Sequence, residues 1–152
     1  RLTILQYGWH MVENPADYSA QSFSLAESAK RFECGSPNML GIHAMNASIE
    51  LLLTVGMRSV GDRVLDNSRF LLEGLSAIDG IKIISDRSEQ RLSGIVSFSS
   101  ERQAADELQR YLSEHDVLCA ARGGGVRLSP HFYTPREQLE RTLALIAEVH
   151  QS

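Results

Sequence analysis

The sequence holds 152 residues, 43% of them apolar and 22% charged, with a net charge of −4; this is the make-up of a globular domain with a sizeable core. No basic block stands out, which argues against a nucleic-acid partner, and the longest nearly apolar run, Ile49 to Met57, is interrupted by Glu50 and too short to span a bilayer. Cys34 and Cys119 form no metal spacing and demand no disulfide, so a reduced, cytoplasmic protein is the expectation.

Arg1, not Met, opens the chain, and a processed or excised piece of a longer protein is expected. Residues 1–38 are the least regular part. Leu2, Ile4 and Leu5 could end a strand, Gly8-Trp9-His10 follows, and Ser22 to Arg31 shows no strong period. A stretch this long without clear structure is unusual inside a compact domain. It reads as chain that crosses between structural units or lines a site. Residues 39–152 read as a small domain of their own.

Gly35-Ser36-Pro37-Asn38 punctuates the entry to a helix, with Asn38 as N-cap. From Met39 to Val55 the helix is apolar on most of its circumference, which predicts burial in a domain centre or an interface. His43, on its narrow polar stripe, is read as structural because it lacks ligand partners. Gly56 breaks the pattern. A second helix is predicted from Ser59-Val-Gly-Asp62 to about Ile78, where Asp79-Gly80 ends it. Ile81 to Ser85 and Gly94 to Ser99 are short strands, paired antiparallel because their link is too short for a helical crossover. Ser100-Glu-Arg-Gln103 reads as a capping box for a helix ending near His115. Val117 to Ala121 is a third strand, Gly123 to Gly125 a turn, and Val126 to Ser129 a fourth strand stopped by Pro130. Thr134-Pro-Arg-Glu137 is a second capping box, with Pro135 at the first position of the final helix. The order ααββαββα predicts an α+β domain, a small mostly antiparallel sheet covered by helices.

A Gly-x-Ser-x-Gly elbow, a His-Glu-x-x-His motif and clustered metal ligands are absent, so no metal site is predicted. Gly123 to Gly125 leads into a strand rather than a helix, which is the wrong geometry for a phosphate loop. Two anion sites remain. Gly35 and Ser36 precede the long helix, where free amides and the dipole favour a phosphate. Arg127 alternates with Val126 and Leu128 on a rigid strand, and its planar fork can bind both oxygens of a carboxylate. Together they suit a phosphorylated cofactor acting on an amino acid.

Arg31-Phe-Glu-Cys-Gly-Ser-Pro-Asn38, followed by the apolar helix, resembles the Arg-Phe-Glu-x-Gly-Thr/Ser-Pro-Asn segment of class V pyridoxal-phosphate (PLP) enzymes of fold type I. Gly125-Val-Arg-Leu-Ser-Pro-His-Phe-Tyr133 is similar to that family's carboxylate-binding strand, and Gly8-Trp9 to a Gly-Trp that precedes the first motif. The resemblance implies that Arg127 binds the substrate α-carboxylate. It implies that Gly35 and Ser36 contact the PLP phosphate of the partner subunit in a homodimer, with Trp9 lining that seat. It also implies an upstream large domain that carries the Schiff-base lysine, since neither Lys30 nor Lys82 occupies a comparable position; this chain alone would then be inactive, with no catalytic residue of its own. Tyr133 is followed by Thr134-Pro135 where the family continues Asn-Thr. Desulfurases of the family carry a nucleophilic Cys between the third strand and the Arg strand. Here Ala120 to Gly125 contains none, which points to the aminotransferase, isopenicillin N epimerase and kynureninase-like branches. The alternative from another class is a free-standing carboxylate-binding or oligomerisation module without catalysis.

Overall fold

The computed structural model describes residues 2–151, so Arg1 and Ser152, the ends of the two predicted segments, lie outside them. The chain divides into two compact units, one up to Leu51 and the other from Leu52 on.

The first unit is built from turns. Met11 is buried, its carbonyl accepts from the Ala26 amide at 2.9 Å, and Glu13 donates to Ser24 at 3.0 Å. Val12 and Leu25 form a lone antiparallel bridge, so the polar run between them closes as a loop. One such bridge leaves no alternation for the sequence to display. Short 3₁₀ turns occupy Trp9–Met11 and Ala29–Phe32, the second capped by the Ser28 hydroxyl. Helix α1 (Met39–Val55) begins as expected: Asn38 Oδ1 accepts from the Gly41 amide at 2.9 Å. The expected burial is not found. No residue of α1 is buried, and Met39, Leu40, Met45, Ile49 and Leu53 are exposed. Cap and propensity suffice to form the helix, whereas burying it takes a covering surface. Neither setting expected, a domain centre or an interface, is found among the described residues.

The second unit has helices α2 (Met57–Ser76), α3 (Ala105–Glu114) and α4 (Arg136–Gln151) and strands β1 (Ile81–Ile83), β2 (Val96–Ser100), β3 (Ala120–Arg122) and β4 (Gly125–Leu128). All strand pairs are antiparallel, in the order β1-β2-β4-β3. The α+β class and element order match the expectation. Val96, Phe98, Val126 and Leu128 face Leu71, Leu75, Leu108, Leu112, Leu139 and Ile146, forming one core between the sheet and its helices. Each such side chain contributes about 1.5–3 kcal/mol by leaving water.

The starts of α2, α3 and α4 differ from those expected. Gly56, at φ 90°, starts α2 two residues before Ser59. The Ser100 hydroxyl does accept from the Arg102 and Gln103 amides, at 3.0 and 2.9 Å, but this turn ends β2, and α3 starts only at Ala105. Ser100 also meets His150 Nε2 at 2.7 Å, tying the last turn of α4 to the sheet edge. Thr134 Oγ1 accepts from His131 rather than from a helix amide, and Pro135 precedes α4 instead of opening it. Gly123 and Gly124, at φ 61° and 77°, make the two-residue hairpin turn that β3 and β4 require. Gly125 lies in the strand. Among the described residues no single helix is long and apolar enough to cross a membrane, and none form a metal-ligating group of three.

Candidate functional site

Strand register decides what surrounds Arg127. It stands between Ser97 on β2 and Ala120 on β3, on the sheet face opposite the helix-covered core. The side chain is half-buried and has no ion-pair or hydrogen-bond partner among the described residues. The Ser97 hydroxyl is equally free there, and Ala120 is too small to obstruct. A carboxylate laid on this face can take both arms of the guanidinium and a hydroxyl donor beside them.

The strand end is pinned from beneath. Asn67 of α2, fully buried, donates through Nδ2 to the carbonyls of His131 and Thr134 at 3.0 and 3.4 Å. His131 and Thr134 close the same turn through Thr134 N to His131 O at 3.1 Å. Neither Ser97 nor Asn67 was singled out from sequence. Asn67 left a signal, since it takes an apolar position in the stripe Val60, Val64, Leu71, Leu75. Ser97 left none, because strand order was not readable.

In the first unit, Gly8-Trp9 meets the Cys34–Ser36 segment. A methyl group on Gly8 would overlap the Cys34 carbonyl oxygen, so the two backbones are in direct contact only because Gly8 has no side chain. Cys34 Sγ also reaches the Gln6 carbonyl at 3.9 Å. Trp9 is half-exposed, its ring 5.8 Å from that of Tyr18. Open space surrounds the place where a Gly35 side chain would stand, and the exposed Ser36 hydroxyl has no partner among the described residues. Backbone amides, a free hydroxyl and the start of α1 lie together on this open surface, a donor set of the kind that can receive a phosphate. Arg31 is turned away, donating to the Ser28 and Glu27 carbonyls. Lys30 and Lys82 are both exposed.

Cys119 precedes β3 rather than lying within it, half-buried against the core. Burial pushes its thiol above the usual value of about 9. It is therefore protonated at neutral pH and a poor nucleophile. The expected result at pH 8 is slower alkylation by iodoacetamide in the folded than in the urea-unfolded protein, followed by peptide mass. The folded-state rate should keep rising with pH beyond the point where the unfolded thiol has levelled off. Equal folded and unfolded rates would show the thiol to be reactive.

The model of the family Aminotransferase class-V matches residues 1–141. The uncharacterized aminotransferase YcbU of Bacillus subtilis is 29% identical over 122 residues, covering 80% of this chain and 32% of the relative. The apo structure of a cysteine desulfurase from Thermococcus onnurineus NA1 superposes with a TM-score of 0.83 at 24% identity, over 95% of this chain and 38% of that one. A C-DES mutant with glycine covalently linked to its PLP cofactor superposes at 0.78 with 20% identity, over 93% and 37%. These likenesses to solved structures show the fold. The chain spans about a third of the length of the curated relatives it matches.

Proposed function

The chain belongs to the class V aminotransferase family, and from that premise we propose that it is the C-terminal part of a PLP-dependent enzyme acting on an amino acid. Residues 1–38 form the crossover from a large domain, and residues 39–152 the small domain. The observation that carries this reading is Arg127, an unpartnered, half-buried guanidinium on a rigid strand with a free Ser97 hydroxyl beside it.

Arg127 binds the substrate α-carboxylate. With two bonds to one planar group it fixes rotation about the substrate's α-carbon, and so selects which bond is broken. Ser97 adds a third donor. The Gly35–Ser36 amides and the Ser36 hydroxyl receive the PLP phosphate of the partner subunit, and Trp9 walls the same seat. When bound, PLP supplies the electron sink that weakens bonds at the α-carbon. The exposed apolar α1 supports a homodimer, since such a surface calls for a cover. The reduced cysteines suit a cytoplasmic enzyme of amino-acid metabolism.

Persulfide chemistry is disfavoured. Gly123-Gly124 joins β3 directly to β4, leaving no loop to carry a cysteine, and Cys119 is held as a neutral thiol. Transamination, epimerisation or lyase chemistry remains. The lysine that bears the cofactor stands in the large domain, so this chain alone is inactive. Borohydride reduction of the full-length, PLP-loaded protein, followed by peptide mapping, should find the pyridoxyl group on a lysine outside this chain. Its recovery on Lys30 or Lys82 would overturn the reading.

A further inference from the structure

The sheet face that carries Arg127 holds a second cation row. Lys82, Ser99, Gly125 and Arg122 stand side by side across β1, β2, β4 and β3, as the pairings Lys82–Ser99 and Arg122–Gly125 require. Arg127 lies in the adjacent row, paired with Ala120. Arg122 is therefore its diagonal neighbour, about 7–8 Å away along the backbone. Arg122 is exposed and, like Arg127, has no ion-pair or hydrogen-bond partner among the described residues. None of the four strands contains an Asp or Glu. Asp86 is engaged by Arg91 and Glu89 by Arg69, while Glu101 and Asp116, which flank β2 and β3 in sequence, form no ion pair with either Arg122 or Arg127 among the described residues. The backbone positions beside these two arginines are Gly125 and Ala120, and the Ile84 side chain lies over Gly125, an apolar neighbour on this face.

We infer that Arg122 and Arg127 form a two-point receptor, and that the substrate carries a second acidic group besides its α-carboxylate. The substrate class is then a short dicarboxylic amino acid or the corresponding dicarboxylic oxo acid. This rests on the assignment of the α-carboxylate to Arg127. Arg127, half-buried and fixed by β4, takes the α-carboxylate; Arg122, at the mouth of the hairpin, takes the distal one. Two cations at diagonal positions of one sheet face repel one another, and a dianion bound by both relieves the repulsion where a monoanion does so only in part. Arg122 thereby discriminates between substrates, while Arg127 anchors all of them.

The experiment titrates the full-length, PLP-loaded protein with glutarate and with butyrate by calorimetry. The wild type should bind glutarate at least about tenfold more tightly than butyrate, the effect of one added charge-assisted contact. Arg122→Gln should remove that difference and leave butyrate affinity unchanged, and Arg122→Lys should restore part of it. Arg122 is exposed, so neither variant threatens the fold. If Arg122→Gln weakens both ligands equally, or neither, the receptor is refuted while Arg127 keeps its role. If Arg127→Gln binds butyrate as well as the wild type does, the Arg127 assignment falls, and the receptor with it.

Discussion

Arg127→Ala in the full-length enzyme is expected to lower kcat/KM by about 2–5 kcal/mol, roughly thirtyfold to several-thousandfold. The side chain touches no charged partner among the described residues, so its removal breaks no ion pair there. Stability should change by less than about 0.5 kcal/mol, as for a substitution away from core and caps. The loss therefore reports on the ligand. It should fall on KM and kcat together, because the same contact that binds the carboxylate also orients the α-carbon. Arg127→Lys should recover only a small part, since an ammonium restores charge but not the planar fork. Urea unfolding and steady-state kinetics on the same preparations separate the two effects. An Arg127→Ala enzyme with unchanged kcat/KM would remove this residue from the site.

What the sequence displayed, and what it did not, follows from how local each signal is. The element order was legible because helices and strands announce themselves by period within a few residues, and Gly56 and Gly123-Gly124 punctuate them. Asn38 was readable as a cap because the amide it receives lies three residues on. Ser100 and Thr134 carry the same local signature and serve other ends. Ser100 closes a turn and holds His150, fifty residues away, and Thr134 holds the turn at His131. A capping box states which bonds a hydroxyl can make, and the tertiary structure decides which of them forms. The apolar circumference of α1 announced burial, in a domain centre or an interface, and among the described residues nothing covers the helix. Arg127 was visible as an aimed cation, yet its companions Ser97, Ala120 and Arg122 emerged only from the strand order β1-β2-β4-β3. Asn67 was the one hidden contributor with a trace, a polar residue in an apolar stripe.

The contact between Gly8 and Cys34 could not be read from sequence, and it leads to a second large expected effect. Gly8→Ala places a methyl group on the Cys34 carbonyl oxygen. Gly8 cannot yield easily: its amide lies 3.1 Å from Met11 Sδ, its carbonyl accepts from the Met11 amide at 3.2 Å, and Met11 is buried and paired to Ala26. The strain passes to Cys34 and on to Gly35, where there is open space to move into, and so to Ser36 beside it. Overpacking of this kind costs about 1–3 kcal/mol, and more where backbone is struck. If Ser36 and its amides seat the phosphate, moving them should weaken PLP retention at least about tenfold, while the sheet and helices from Leu52 onward keep their structure. PLP release can be followed by its absorbance on dilution, and far-ultraviolet circular dichroism checks the fold. Retention at the wild-type level, in a variant that folds, would show that the Cys34–Ser36 segment does not hold the cofactor. Ser36→Ala supplies the complementary test: it leaves the backbone in place, so a smaller loss than that of Gly8→Ala would assign most of the grip to the amides rather than to the hydroxyl.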